Sequence, residues 1–193
     1  AAATVLLVAS WSSAAAQDTV YSAERVKAAF LYHFSTYVNW PESADSDSTF
    51  KIAVLGATPV AAELERFLPG HTIQGRPMKV HRVRSLEDLG SDEVLYIGAD
   101  ENRRLADHLD RLESKPLLVV TDVPDGLRDG AMINFRIVDD RVRFEISLRT
   151  AQEAGLELSS RLLAAAMSVE SAGAIIDLED TVVSNDHEHM MSD

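Results

Sequence analysis

Phe50–Gly56 (FKIAVLG) is a short, almost unbroken apolar run, the pattern of a strand buried on both faces within a parallel sheet. The segments downstream of it narrow the fold class. Thr58 and Pro59 offer an N-cap and first-turn pair for a helix through Leu68. Beyond a turn at Gly75–Pro77, Met78–Val83 reads as a second strand, and Ser85 caps a short helical turn. Val94–Gly98 is then a strand, Glu101–Leu112 a helix and Leu117–Thr121 another strand. Strands alternating with helices predict an α/β fold with a mostly parallel or mixed sheet flanked by helices. No internal repeat or long linker breaks this succession, which predicts one domain over 17–169.

Toward the C-terminal end the hydrophobic period changes to two. MINFRIVDDRVRFEIS holds two alternating runs on either side of Asp139-Asp140, the signature of an antiparallel hairpin. With those two residues as the turn, Ile133 faces Ile146, Phe135 faces Phe144 and Ile137 faces Val142 on an apolar, core side. Asn134 faces Glu145 and Arg136 faces Arg143 on a polar side. Opposed arginines repel mildly and call for an offset: Glu145, a bound anion or a partner's carboxylate. Side chains that splay into water would answer the repulsion equally. After Gly155, Leu156–Met167 reads as a closing helix that begins at Ser159 or Ser160.

Ser22–Val38 reads as a helix capped by Ser22 and stopped by the restriction that Pro41 places on Trp40. Val26, Phe30, Phe34 and Tyr37 share one face, the expected core face. Tyr32 falls on the opposite side with Ala28, Ser35 and Asn39, where a ring is either incidental or an interface anchor. Trp40, just past the helix, either caps the core or meets a partner.

The chain has 31 acidic and 18 basic residues and a net charge of −13. Seven of the acids and none of the bases fall in residues 170–193, leaving 24 acids against 18 bases elsewhere. That balance argues against nucleic acid and against electrostatic docking on anionic lipid. The 170–193 segment reads as an acidic, flexible tail in which Ile175, Ile176, Val182 and Val183 are available for local docking. Its His187, His189 and Met190 form only a weak metal set, since no second cluster accompanies them. At the other end, residues 1–16 (AAATVLLVASWSSAAA) carry the apolar core and small-residue site of a secretory signal peptide. Cleavage after Ala16 predicts an exported protein that does not insert in the membrane; left uncleaved, the stretch would serve as an anchor.

Signals for catalysis are missing. VLGATP has a single glycine and matches neither dinucleotide nor P-loop spacing. There is no G-x-S-x-G, no H-E-x-x-H and no cysteine, so thiol chemistry, disulfides and Cys-ligated metals are excluded. His33, His71, His81 and His108 stand singly. No cofactor motif is present, and the expectation is a protein that is not an enzyme.

Two stretches go further. ERVKAAFLYHFSTYVNWP (Glu24–Pro41) and GAMINFRIVDDRVRFEISLRTAQEAGLELSSRLL (Gly130–Leu163) resemble the N- and C-terminal signatures of the YfiR family, and FKIAVLG and VLYIG between them agree. The resemblance implies a periplasmic, non-enzymatic regulator of Gram-negative bacteria. Such a protein contacts the periplasmic domain of a membrane-bound diguanylate cyclase, inhibits it, and so lowers cyclic-di-GMP and biofilm formation. Related domains imply an alternative, a small-ligand sensor acting on a histidine kinase, a transporter or another membrane signalling protein. They also imply a compact α/β domain, often a homodimer. Family members commonly carry redox-responsive cysteines; Ser91-Asp92-Glu93 stand where one is expected before the Val94 strand, so no thiol switch operates here. Faces and charge nominate Tyr32, Trp40, Asn134, Arg136, Arg143 and Glu145 as partner or ligand contacts.

Overall fold

A computed structural model describes residues 22–40, 49–110, 112, 116–171 and 174–177. Helix α1 (Ala23–Tyr37) leads into β1 (Val38–Asn39), β2 (Phe50–Leu55), α2 (Thr58–Phe67), β3 (Thr72–Ile73) and β4 (Arg76–Val83). A 3₁₀ turn precedes β5 (Val94–Ile97), and a second, Ala99–Arg104, runs into α3 (Leu105–Asp110). The chain continues through β6 (Leu118–Thr121), β7 (Ile133–Val138), β8 (Arg141–Ser147), α4 (Leu148–Glu153), β9 (Glu157–Leu158), α5 (Ser160–Ala165), β10 (Ser168–Ser171) and β11 (Ala174–Asp177).

The main sheet has the order β11-β10-β8-β7-β6-β5-β2-β4-β3, and β1 pairs separately with β9. Its centre, β4-β2-β5-β6-β7, is parallel. Antiparallel β8 makes the sheet mixed, as the alternation of elements predicts. The apolar run of β2 is buried on both sides: Phe50, Ile52 and Val54 meet α1 and α2, while Ala53 and Leu55 join the layer closed by α3. Strand β4, between β2 and the short edge strand β3, is held by acids of the loop before β5. Glu93 pairs with Arg76 and accepts from the Lys51 amide, and Asp92 lies 2.6 Å from His81 Nε2.

The β7–β8 hairpin has the predicted register, from Ile133↔Ile146 to Ile137↔Val142. Asp139 and Asp140 sit at φ 48° and 58°, the paired left-handed conformation that suits the twist of a two-residue hairpin turn.

Several local expectations change. The face of α1 that is buried is Ala28, Leu31, Phe34 and Ser35, with Phe30 and Tyr37 only half-buried. The helix is gripped by both the sheet and α2, and small residues at 28 and 35 let it approach closely. Ser35 satisfies its hydroxyl by donating to the Leu31 carbonyl at 2.8 Å. Ala57, with no side-chain cap, precedes α2. The closing helix is only α5, capped by Ser159, while α4, capped by Ser147, had no counterpart in the pattern. Strands β10 and β11 carry the sheet past Glu170, where composition reads as a flexible tail. The signal-peptide stretch and His187, His189 and Met190 lie outside the described residues.

Candidate functional site

The polar side of the hairpin is organised from β6 outward. Thr121 Oγ1 donates to Asn134 Oδ1 at 2.8 Å, and Asn134 Nδ2 donates to Glu145 Oε1 at 2.8 Å. Arg136 approaches that same carboxylate oxygen at 3.8 Å. Gly126 lies so close over Thr121 and Asn134 that a Cβ there would sit 2.4 Å from Thr121 Oγ1. The β6–β7 loop thus seals Asn134, which is fully buried; it is an internal strut and not a surface contact. Layer coverage explains the rest: the α3 side of the sheet closes on β2, β5 and β6, so the outer hairpin keeps Arg136 and Arg143 in solvent.

Beside the hairpin, at the carboxyl end of β6, is a cleft of about 250 Å³ lined by Lys27, Asp122, Val123, Pro124, Phe135, Arg136 and Ile137. Lys27 Nζ lies 2.5 Å from Asp122 Oδ2, and both side chains are 13% exposed. Beneath them the Tyr96 hydroxyl and Asp122 Oδ1 are buried, neither with a hydrogen bond of normal geometry among the described residues. Burial, then the charge of the neighbouring Asp122 carboxylate, pushes the Tyr96 pKa strongly up, so it stays a neutral hydroxyl.

The aromatic candidates lie elsewhere. Tyr32 packs its ring edge-on against Phe67 and His71, with centroids 5.6 and 4.8 Å away. Trp40 Nε1 donates to the Ser35 carbonyl at 3.0 Å and its ring meets Phe50 edge-on, so it closes the end of α1 over the core. Between these and the hairpin, the outer face of α1 carries a shallow groove lined by Arg25, Val26, Ala29, Phe30 and His33. The structure therefore brings together Asn134, Arg136, Glu145 and, across the strands, Arg143, but not Tyr32 or Trp40.

Sequence reasoning missed Lys27, Tyr96 and Asp122, which converge from α1, β5 and the end of β6. It also assigned Ile137 to the core, whereas that side chain is 57% exposed. Its position one pair from the turn, beyond the reach of a covering helix, was the available signal. No group of three or more His, Asp or Glu residues suited to a metal occurs among the described residues.

A mixed α/β sheet bearing an uncovered polar hairpin is the frame onto which the comparisons fall. Residues 24–167 match the YfiR/HmsC-like family, and the chain belongs to it. That family consists of regulatory, non-catalytic proteins, and membership implies a periplasmic regulator acting with a membrane diguanylate cyclase. No curated protein matches the chain. No helix among the described residues is long and apolar enough to cross a membrane.

Proposed function

We propose that this protein is exported through a cleaved signal peptide and inhibits a membrane diguanylate cyclase by binding its periplasmic domain. Cyclic-di-GMP and biofilm formation fall as a result. The observation that carries the reading is the outer half of the hairpin. Among the described residues only Ile137 and Phe67 are large hydrophobic side chains left exposed, and Ile137, paired with Val142, lies on the opposite side of the hairpin from the exposed Arg136 and Arg143. A hairpin end that exposes an apolar anchor on one side and two arginines on the other offers the residue types enriched at interface centres. Glu145 lies 3.8 Å from Arg136 on the polar side.

Inhibition requires preference for one state of the partner. Moving that partner from 1:99 to 99:1 takes about 5.5 kcal/mol of differential affinity, within the reach of one standard interface. The test is calorimetry of the purified protein against the cyclase's periplasmic domain. Ile137→Asp and Arg143→Ala should each weaken binding about tenfold or more, equal to about 1.4 kcal/mol, without shifting the melting temperature. Unchanged affinity in both variants contradicts the assignment of this surface.

A further inference from the structure

We infer that the cleft at the carboxyl end of β6 binds a small organic monoanion, a carboxylate carried on an apolar body. Its position is the first reason. In open α/β sheets ligands enter the crevice outside the carboxyl ends of parallel strands, where the loops diverge. Here β6 pairs with β7 only at Val120↔Ile133 and Thr121↔Asn134. Residues 135–137 run on without that neighbour, and the space is framed by 122–124 and by Lys27 from α1.

Charge gives the sign of the ligand. Lys27 and Asp122 neutralise each other at 2.5 Å, which leaves Arg136, offset only by Glu145 at 3.8 Å outside the lining, as the lining charge with donors to spare. Arg136 is 47% exposed and only 3.8 Å from Glu145 Oε1, an oxygen that already accepts from Asn134 Nδ2. Its guanidinium therefore keeps donors for a bidentate carboxylate. A cation would meet Lys27 and Arg136 with Asp122 already engaged. An anion meets a net positive lining on a chain of net charge −13.

Shape gives the rest. Val123, Pro124, Phe135 and Ile137 supply apolar walls, the usual mix of apolar lining with few placed polar groups. The volume, about 250 Å³, lies below the ~300–1,000 Å³ typical of drug-sized pockets, which selects a single ring or a short chain. This site also accounts for the exposure of Ile137 on its cleft side.

Benzoate is the probe, with benzyl alcohol as its neutral counterpart, titrated into the purified protein by NMR or calorimetry. The partner enzyme is absent, so the result is independent of the cyclase reading. Benzoate should bind saturably at one site per chain, and benzyl alcohol about tenfold or more weakly. Arg136→Gln should weaken benzoate about tenfold or more, while Arg149→Gln on α4, an exposed arginine paired with Glu153, should leave it unchanged. Absence of saturable binding, equal binding of the alcohol, or an unaffected Arg136→Gln protein overturns the inference.

Discussion

Glu24 shows how much a single side chain near the start of α1 contributes. It lies in the first turn behind the Ser22 cap, whose hydroxyl accepts from the Arg25 amide at 3.3 Å. Its pKa is held below the ordinary 4.5, first by a backbone hydrogen bond, then by Ser22, and further by the charge of Lys27. A lowered folded-state pKa means that the unfolded chain binds the proton more readily. The stabilisation is therefore complete above the ordinary carboxylate range and disappears as pH falls through the folded-state value. Glu24→Gln should cost about 0.3–1 kcal/mol at neutral pH, the usual worth of a carboxylate at a helix N-terminus. Urea unfolding of both proteins at pH 7 and in strong acid checks this: the gap should close in acid, and a constant gap contradicts it. Asn134 teaches a related lesson, since its place on the strand was readable but its burial beneath Gly126 was not. Nothing in a period of two says that a loop will fold over a polar residue.

At the scale of elements, legibility followed the strength of local pattern. The hairpin was readable to the residue because alternation and a two-residue turn fix register together. Helix α1 was placed correctly in sequence, yet its buried face is rotated from the one marked by Val26, Phe30 and Tyr37. Large rings dominate a hydrophobic pattern, whereas a helix wedged between sheet and helix buries small residues at the closest approach. Two-residue strands such as β1, β3 and β9 lack any pattern of their own, because pairing alone defines them. Composition misled at β10 and β11, where acidic surroundings hid strand pairing. The turn itself yields a prediction. Two adjacent aspartates at positive φ bear both left-handed strain and mutual repulsion, while Asn-Gly relieves both. Replacing Asp139-Asp140 by Asn-Gly should raise stability by roughly 1 kcal/mol, the low end of what a non-glycine residue held in the left-handed region costs, read as a higher thermal midpoint. A lower midpoint would mean that the aspartates make stabilising contacts of their own.

For the whole molecule, the layering of the sheet decides where a partner can act. Helices α1 and α2 cover one side and α3 covers part of the other, so the β7–β8 hairpin projects beyond both layers. The cleft runs along residues 135–137 of its first strand, so Arg136 and Ile137 line it while remaining exposed. A ligand in the cleft and a protein on the outer hairpin would therefore share Arg136 and Ile137. With no cysteine in the chain, the Arg76–Glu93 ion pair and the His81–Asp92 hydrogen bond tie β4 to the loop before β5. The candidate site was less legible than the fold because Lys27, Tyr96, Asp122 and Arg136 come from four separate elements. The central claim is regulation of a diguanylate cyclase from the periplasm, and the most direct measurement is cellular cyclic-di-GMP in a deletion strain. The strain is complemented with the exported chain or with a version lacking residues 1–16. The account predicts a rise on deletion that only the exported chain reverses; no rise while the cyclase is expressed, or reversal by the version lacking residues 1–16, contradicts it.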